Sequence, residues 1–303
     1  MTPSAPLFRG IITAMVTPLK NQTTLDRAGL ERLIEHLLAG GVHGLFPLGT
    51  TGEAPALPIE LRYEMVELTC KQVAGRVPVI VGVTDTSLVT ATRFAQRAKD
   101  CGAAAVATAP PYYYSLTQYE ILHYCENLAS HAGIPLLLYN APGNTNHSLD
   151  VDTVRHASQI ENIVGLKDSG MSMSYFHTVR AAVARRQDFT LLVGPEELLA
   201  ECVLFGGHGG MAAGSNVYPR LYVDLFNAAA AADMPCVLRL HEEALAFGRA
   251  IYHGNNPLRG MKRALEFLNI CSSVLTEPLT SFTCEESAAV ERYIGYHRSK
   301  MVK

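Results

Sequence analysis

Short apolar runs alternate with amphipathic stretches along most of the chain. The runs lie at Ile11–Pro18, Gly44–Leu48, Pro78–Val83, Ala104–Ala109, Pro135–Asn140, Ile163–Lys167, Phe189–Val193 and Gly209–Ala213. Most are continuous rather than alternating, which suits strands buried on both faces of a parallel sheet. Between them, helical spacing of apolar positions predicts helices over Asp26–Ala39, Pro58–Val73, Leu88–Asp100, Thr117–His131, Val151–Gln159, Ser172–Ala184, Glu196–Leu204 and Pro219–Ala231. Strictly alternating strands and helices predict an α/β protein with a parallel sheet. Eight such units in about 230 residues match a (β/α)₈ TIM barrel in count and size. A doubly wound open sheet is the rival arrangement. From Pro235 the pattern changes to helices alone, at Cys236–His253, Leu258–Leu268 and Cys284–Lys300. We therefore expect a catalytic barrel over residues 1–233 and a C-terminal helical region, 234–303, packed on it.

Composition narrows the function classes. Of 303 residues, 48% are hydrophobic and 17% charged, enough to bury a sizeable core. The net charge of -3, without a basic block, argues against nucleic acid or an anionic membrane as the main partner. No stretch approaches the roughly twenty apolar residues needed to span a bilayer, and Met1–Arg9 lacks a secretory pattern. Seven cysteines without a Cys-x-x-Cys pair fit reduced thiols in a cytoplasmic protein.

The chemistry of a TIM barrel sits at the C-terminal ends of its strands. The second strand is followed by Gly49-Thr-Thr-Gly-Glu53 and the fourth by Pro110-Pro-Tyr-Tyr-Tyr114. The fifth ends in Tyr139-Asn140, the sixth in Lys167, the seventh in Gly194 and the eighth in Gly214. A lysine closing an apolar strand can be partly desolvated, which lowers its pKa and frees a nucleophilic amine. Attack of that amine on a ketone gives an imine, an electron sink for making or breaking carbon–carbon bonds. A nearby phenol, Tyr139, can carry protons. The Gly-Thr-Thr-Gly turn offers N–H groups and hydroxyls to a carboxylate. Together these groups suggest a 2-oxo acid.

Plainer readings exist for each residue. Lys167 can snorkel or pair with Asp168. The Gly49–Glu53 segment can be only a tight turn with a helix cap. Tyr112 to Tyr114 can be core or interface aromatics, and Asn140 reads better as turn chemistry than as catalysis. Gly207-His-Gly-Gly-Met-Ala212 loosely fits a dinucleotide fingerprint, but it follows a helix pattern and opens a strand, so close backbone packing is the better reading. The eleven histidines show no ligand spacing, so no metal is expected.

The ordered set Gly49-Thr-Thr-Gly-Glu53, Pro111-Tyr-Tyr113, Tyr139-Asn-Ala-Pro142 and Gly165-Leu-Lys-Asp168 resembles the dihydrodipicolinate synthase / N-acetylneuraminate lyase superfamily, as do Gly206-Gly-His-Gly209 and Asn256-Pro257. The resemblance runs from about Gly10 to the C-terminal helices. It implies that Lys167 forms a Schiff base with pyruvate or another 2-oxo acid, with no separate cofactor. It implies Tyr139 as general acid/base, Thr50 as the link from Tyr139 to Tyr113, and Thr50 and Thr51 as the carboxylate cradle. Gly194, Met211 and Asn144 are further expected substrate contacts. The tyrosine matching Tyr113 reaches into a neighbouring subunit in this family, which implies a homo-oligomer, commonly a dimer of dimers.

The chain also departs from the synthase pattern. Synthases carry an arginine for the aspartate semialdehyde carboxylate where this chain has Asn144, which lacks both charge and fork. Ile59 and Arg62 stand where lysine-inhibited synthases tend to have histidines, so feedback inhibition by lysine is not expected. The neuraminate lyase branch usually has serine at the place of Thr50. The favoured expectation is a class I lyase cleaving a 2-keto-3-deoxy sugar acid to pyruvate and an aldehyde, with Asn144, Asn146 and His147 offering neutral hydrogen bonds. Dihydrodipicolinate synthase is the alternative, and a non-catalytic ligand-binding barrel is the second.

Overall fold

The computed structural model describes residues 6–252 and 257–301. His253 and Asn256, which fall within an expected helix and an expected family pattern, lie outside the described residues. Eight parallel strands form one sheet: β1 (Gly10–Ala14), β2 (Gly44–Phe46), β3 (Ile80–Gly82), β4 (Ala105–Thr108), β5 (Leu136–Asn140), β6 (Ile163–Asp168), β7 (Thr190–Val193) and β8 (Gly209–Ala212). The ladder runs β2-β1-β8-β7-β6-β5-β4-β3. A parallel bridge between Leu45 and Val79 joins the two ends of that order and closes the ring. This contact decides for the TIM barrel over the open sheet, which would leave two free edges.

The continuous apolar runs work as expected, because each strand is buried on both faces. Alternate residues point into the barrel, where Ile12, Ala14, Phe46, Ile80, Ala105, Ala107, Leu137, Leu192 and Met211 form a compact filling. The intervening residues, such as Ile11, Leu45, Val106, Leu138, Leu166 and Leu191, join the larger core beneath the helices. Most strands are shorter than their apolar runs, though β6 extends one residue beyond its run to Asp168. After Ala14 the Val16 N–H donates to the Asn216 side chain instead of to a neighbouring strand, so the ladder ends there.

The barrel helices are α1 (Arg27–Ala39), α2 (Ile59–Val73), α3 (Leu88–Asp100), α4 (Gln118–Ala132), α5 (Val151–Ala157), α6 (Met173–Ala182), α7 (Leu199–Leu204) and α8 (Pro219–Ala230). Their starts are written in the sequence: the side chains of Asp26, Ser87 and Ser172 accept from backbone N–H groups, and Thr117 with Glu120 forms a capping box. The expected helix over Glu196–Leu204 is instead a 3₁₀ turn, Glu196–Leu198, followed by α7. A small hairpin, Leu19–Asn21 with Thr24–Leu25, and a helical turn, Pro142–Thr145, interrupt segments expected to be irregular.

Three helices complete the chain: α9 (Met234–Ile251), α10 (Pro257–Phe267) and α11 (Cys284–Met301). α9 packs along α8, and α10 lies against α11. α10 crosses close to the end of α9, because a Cβ at Gly260 would meet the Ile251 carbonyl oxygen at 1.8 Å. Among the described residues no helix is long and apolar enough to cross a membrane.

Candidate active site

Strands β5 and β6 pair in register, with Tyr139 opposite Lys167 and Asn140 opposite Asp168. Residues opposite one another in a parallel pair share a face, and successive residues alternate. Tyr139 and Lys167 therefore enter the barrel together, while Asn140 and Asp168 turn to the helix side. There Asn140 Nδ2 donates to Asp168 Oδ1 at 2.7 Å, and Asn140 Oδ1 accepts from the Leu149 N–H. Burial pushes the Asp168 carboxyl above its usual range despite the bonds it accepts from Asn140 and from the Gly170 N–H. The pairing of Lys167 with Asp168 is thus not made, because alternation puts them on opposite faces.

Lys167 is 4% exposed. Its Nζ lies 4.0 Å from the centre of the Tyr139 ring and 4.8 Å from that of Phe46, the contact of a cation with aromatic faces. The Tyr139 hydroxyl meets Thr50 Oγ1 at 3.2 Å. Burial raises the Tyr139 phenol, but the Lys167 charge beside it and hydrogen bonds with Thr50, Ser169 and Lys167 outweigh burial and hold it below its ordinary value. Amine, phenol and hydroxyl form one connected proton-handling set.

Two cavities meet around this set. The larger, about 470 Å³, is lined by Thr50, Thr51, Asn144 and Gly194 and reaches the C-terminal helical region at Leu258 and Met261. The smaller, about 290 Å³, is lined by Phe46, Thr50, Tyr112, Tyr139 and Asn144. Gly194 separates the larger one from the lysine. A Cβ there would stand 3.4 Å from Lys167 Cε and 2.0 Å from Ser169 Oγ, so only a bare backbone leaves the approach open.

Residues 7–296 match the model of the Dihydrodipicolinate synthetase family. A 4-hydroxy-tetrahydrodipicolinate synthase of Methanosphaerula palustris is 32% identical over 291 residues, covering 95% of this chain and 99% of that one. The chain belongs to the dihydrodipicolinate synthetase family. It is accordingly an enzyme, a lyase. A dihydrodipicolinate synthase structure from Bacteroides thetaiotaomicron superposes with a TM-score of 0.93 at 43% identity, covering 97% of this chain and 100% of that chain. A prophage protein of the same family from E. coli K12, solved in complex with pyruvate, gives 0.91 at 26% identity, with coverage of 96% and 99%.

Within this family member, Lys167, Tyr139, Thr50, Thr51, Gly194 and Asn144 converge at the C-terminal mouth of the barrel. Two expected site residues do not join them. Met211 is 1% exposed, packs in the barrel filling with Ile12, Phe46 and Leu192, and lines neither cavity. Its side chain belongs to the filling, and its strand position lies two residues beyond Gly209, which shares Leu192 as a register partner with Lys167. Tyr113 is 77% exposed and stands edge-on to Tyr114, with no contact to Thr50 within the chain. The Gly207–Gly210 glycines serve close packing, since a Cβ at Gly209 would meet the Gly10 carbonyl oxygen at 2.0 Å.

Sequence reasoning missed Phe46, Ser169, Glu196 and Glu197. Glu196 and Glu197 directly follow the end of β7, a position that could have flagged them. The Glu196 carboxylate accepts from the Gly214 N–H, from the Tyr222 hydroxyl at 2.5 Å and from the Tyr252 hydroxyl at 2.9 Å. Burial raises its pKa above the usual carboxyl value in spite of those donors. Among the described residues, no group of three or more His, Cys, Asp or Glu side chains is arranged to hold a metal ion.

Proposed function

We propose that the protein is a Schiff-base-forming lyase that uses or releases pyruvate, and that its preferred substrate is a 2-keto-3-deoxy sugar acid. The observation that carries this reading is the buried Lys167 amine held against the Tyr139 ring, with the Tyr139 hydroxyl bonded to Thr50. Lys167 adds to the C2 carbonyl, water leaves, and the protonated imine accepts the electron pair released when the adjacent carbon–carbon bond breaks. The bond that breaks is C3–C4: Tyr139 takes the proton from the C4 hydroxyl, which becomes the aldehyde carbonyl, and returns it to C3 of the enamine by way of water, after which water hydrolyses the imine to release pyruvate and free Lys167. The Thr50 and Thr51 turn holds the C1 carboxylate. The covalent imine serves where other enzymes use a cofactor.

The aldehyde side supports a neutral, hydroxylated partner. Glu196, Glu197 and Glu277 line the larger cavity, and its described lining contains no arginine or lysine. A second carboxylate in the substrate would face like charge there without a cationic fork. Asn144, in the helical turn Pro142–Thr145, borders both cavities and offers neutral hydrogen bonds.

The second reading, condensation of pyruvate with aspartate semialdehyde, draws on the similarity to 4-hydroxy-tetrahydrodipicolinate synthases. Coupled assays on both substrate classes separate the two. Turnover of 2-keto-3-deoxy acids far above synthase activity is expected, and strong turnover of aspartate semialdehyde overturns the reading of Asn144. The chemistry itself is tested by borohydride reduction in the presence of pyruvate, followed by peptide mass analysis. A pyruvyl adduct on the Lys167 peptide is expected, and a folded protein without one overturns the imine.

We also assign a cytoplasmic, homo-oligomeric state, a dimer or dimer of dimers, in which Tyr113 extends Thr50 and Tyr139 of the neighbouring site. The exposure of Tyr113, Tyr114 and Tyr119, at 77%, 73% and 77%, supports an aromatic face awaiting a partner subunit.

A further inference from the structure

The Thr50–Thr51 turn is built under constraint. It is bracketed by two non-glycine residues in the left-handed region, Leu48 at φ 61° and Glu53 at φ 57°. Such conformations persist only where the surroundings impose them. The Leu48 end is pinned by close packing, since a Cβ at Gly82 would meet the Leu48 carbonyl oxygen at 2.1 Å. In the middle, Thr17 Oγ1 donates to the Gly52 carbonyl at 2.6 Å. At the other end, the Glu53 N–H donates to the Thr50 carbonyl at 3.0 Å. Any shift of Glu53 therefore moves the residue whose hydroxyl meets Tyr139.

What holds Glu53 comes from far along the chain. Its Oε1 pairs with Lys262 Nζ in α10, and both side chains are almost wholly buried, at 1% and 0% exposure. Its Oε2 accepts from the Thr276 N–H at 2.7 Å and from Thr276 Oγ1 at 2.8 Å. Lys262 Nζ also donates to the Val274 carbonyl at 2.6 Å. A buried ion pair is a poor way to gain stability, because desolvation offsets most of the attraction. The contact, with the two Thr276 bonds to Glu53 Oε2 and the Lys262 bond to the Val274 carbonyl, does define one arrangement of the groups it joins. Those groups are the carboxylate-binding turn and the C-terminal region, which itself walls the larger cavity through Leu258, Met261 and Thr276.

We infer that Glu53, gripped by Lys262 and Thr276, is a positioning residue that sets the Thr50–Thr51 turn for the 2-oxo acid carboxylate, so that the C-terminal helical region controls substrate binding at Lys167. The inference rests on the proposed imine chemistry only for its covalent readout.

The test compares the full-length wild type with Glu53→Gln, Lys262→Met, the double variant and Thr276→Val. Each is measured for melting temperature and for the pyruvate concentration that half-saturates borohydride trapping at Lys167. Thr276→Val keeps the ion pair and removes one hydrogen bond to a charged group. It is expected to fold and to raise half-saturation by roughly 3- to 10-fold. Each single charge variant that folds should raise it further. The double variant, neutral and still able to accept from Thr276 through the amide oxygen, should recover part of the loss. Lower melting temperatures with wild-type half-saturation in Thr276→Val and the double variant would overturn the inference and leave the pair as a fastening of the helices. A wild type without an adduct would instead overturn the imine. Calorimetric titration of the same variants with pyruvate would then decide the positioning role, and no pyruvate binding to the wild type would overturn both.

Discussion

Among the described residues two lysines are buried, and their surroundings differ in the one respect that matters. Lys262, in α10, is fully enclosed with the Glu53 carboxylate and a backbone carbonyl as partners. Lys167, at the end of β6, is nearly as enclosed, yet among the described residues no carboxylate lies within ion-pair distance of it. Its neighbours are the Tyr139 and Phe46 rings and a phenol able to exchange protons. Lys262 is committed to a carboxylate and a backbone carbonyl and lines neither cavity. An ammonium beside a phenol can lose its proton and attack a carbonyl. Burial alone therefore does not mark a catalytic lysine; the kind of partner does.

That comparison can be broken most sharply at Lys167. Lys167→Ala should abolish turnover, by on the order of 10⁴-fold or more, as for other removed nucleophiles. The barrel should stay folded by circular dichroism, because no buried charge is left unpaired. Substantial residual turnover would mean the wrong lysine had been chosen. Tyr139→Phe keeps the ring under Lys167 and removes the proton carrier, so kcat should fall by about 10²- to 10⁴-fold in steady-state assays. Tyr113→Phe should slow the reaction less, and equal activity would make Tyr113 only an interface aromatic. Lys262→Met should weaken pyruvate half-saturation and lower stability, while leaving the Lys167 amine in place. It strands the Glu53 carboxylate and should cost about 3–5 kcal/mol in denaturant unfolding. A smaller loss of unfolding free energy in Lys262→Met than in Lys167→Ala would reverse the roles assigned to the two.

The smallest effect lies at the opposite end of the barrel and serves as a control. His43 Nδ1 accepts from the Ile11 N–H at 3.1 Å, and His208 Nδ1 from the Leu191 N–H at 2.8 Å. Burial lowers both histidine pKa values, and at His208 the Arg9 charge lowers it further. The folded protein thus resists protons that the unfolded chain takes up. Stability should be flat above the ordinary histidine pKa, about 6.5, and should fall as pH drops below it toward the depressed folded values. Melting curves between about pH 8 and 5 check this, and the slope should lessen in His208→Gln.

Much of this was legible in the chain. The continuous apolar runs between amphipathic segments specify two-faced burial and hence a parallel sheet, and their number specifies the barrel. The capping residues Asp26, Ser87, Thr117 and Ser172 mark helix starts to within a residue. Lys167 and Tyr139 could be nominated because a polar residue closing a buried strand has few places to go except the barrel mouth. Lys262 left a trace that went unread. It sits on the apolar stripe Leu258, Met261, Lys262 and Leu265 of α10, where a charge requires a buried partner.

The sequence by itself determined the elements, their order and which residues could carry chemistry. Each of these follows from short-range periodicity, capping and the valence of single side chains. Only the tertiary structure decided that Tyr139 and Lys167 share a face while Asp168 turns away, which depends on the register of β5 against β6. Only it decided that Glu53 is held by Lys262 and Thr276, more than two hundred residues away. Such pairings arise where desolvated groups from distant segments must satisfy one another, and no local pattern encodes which distant group will be there.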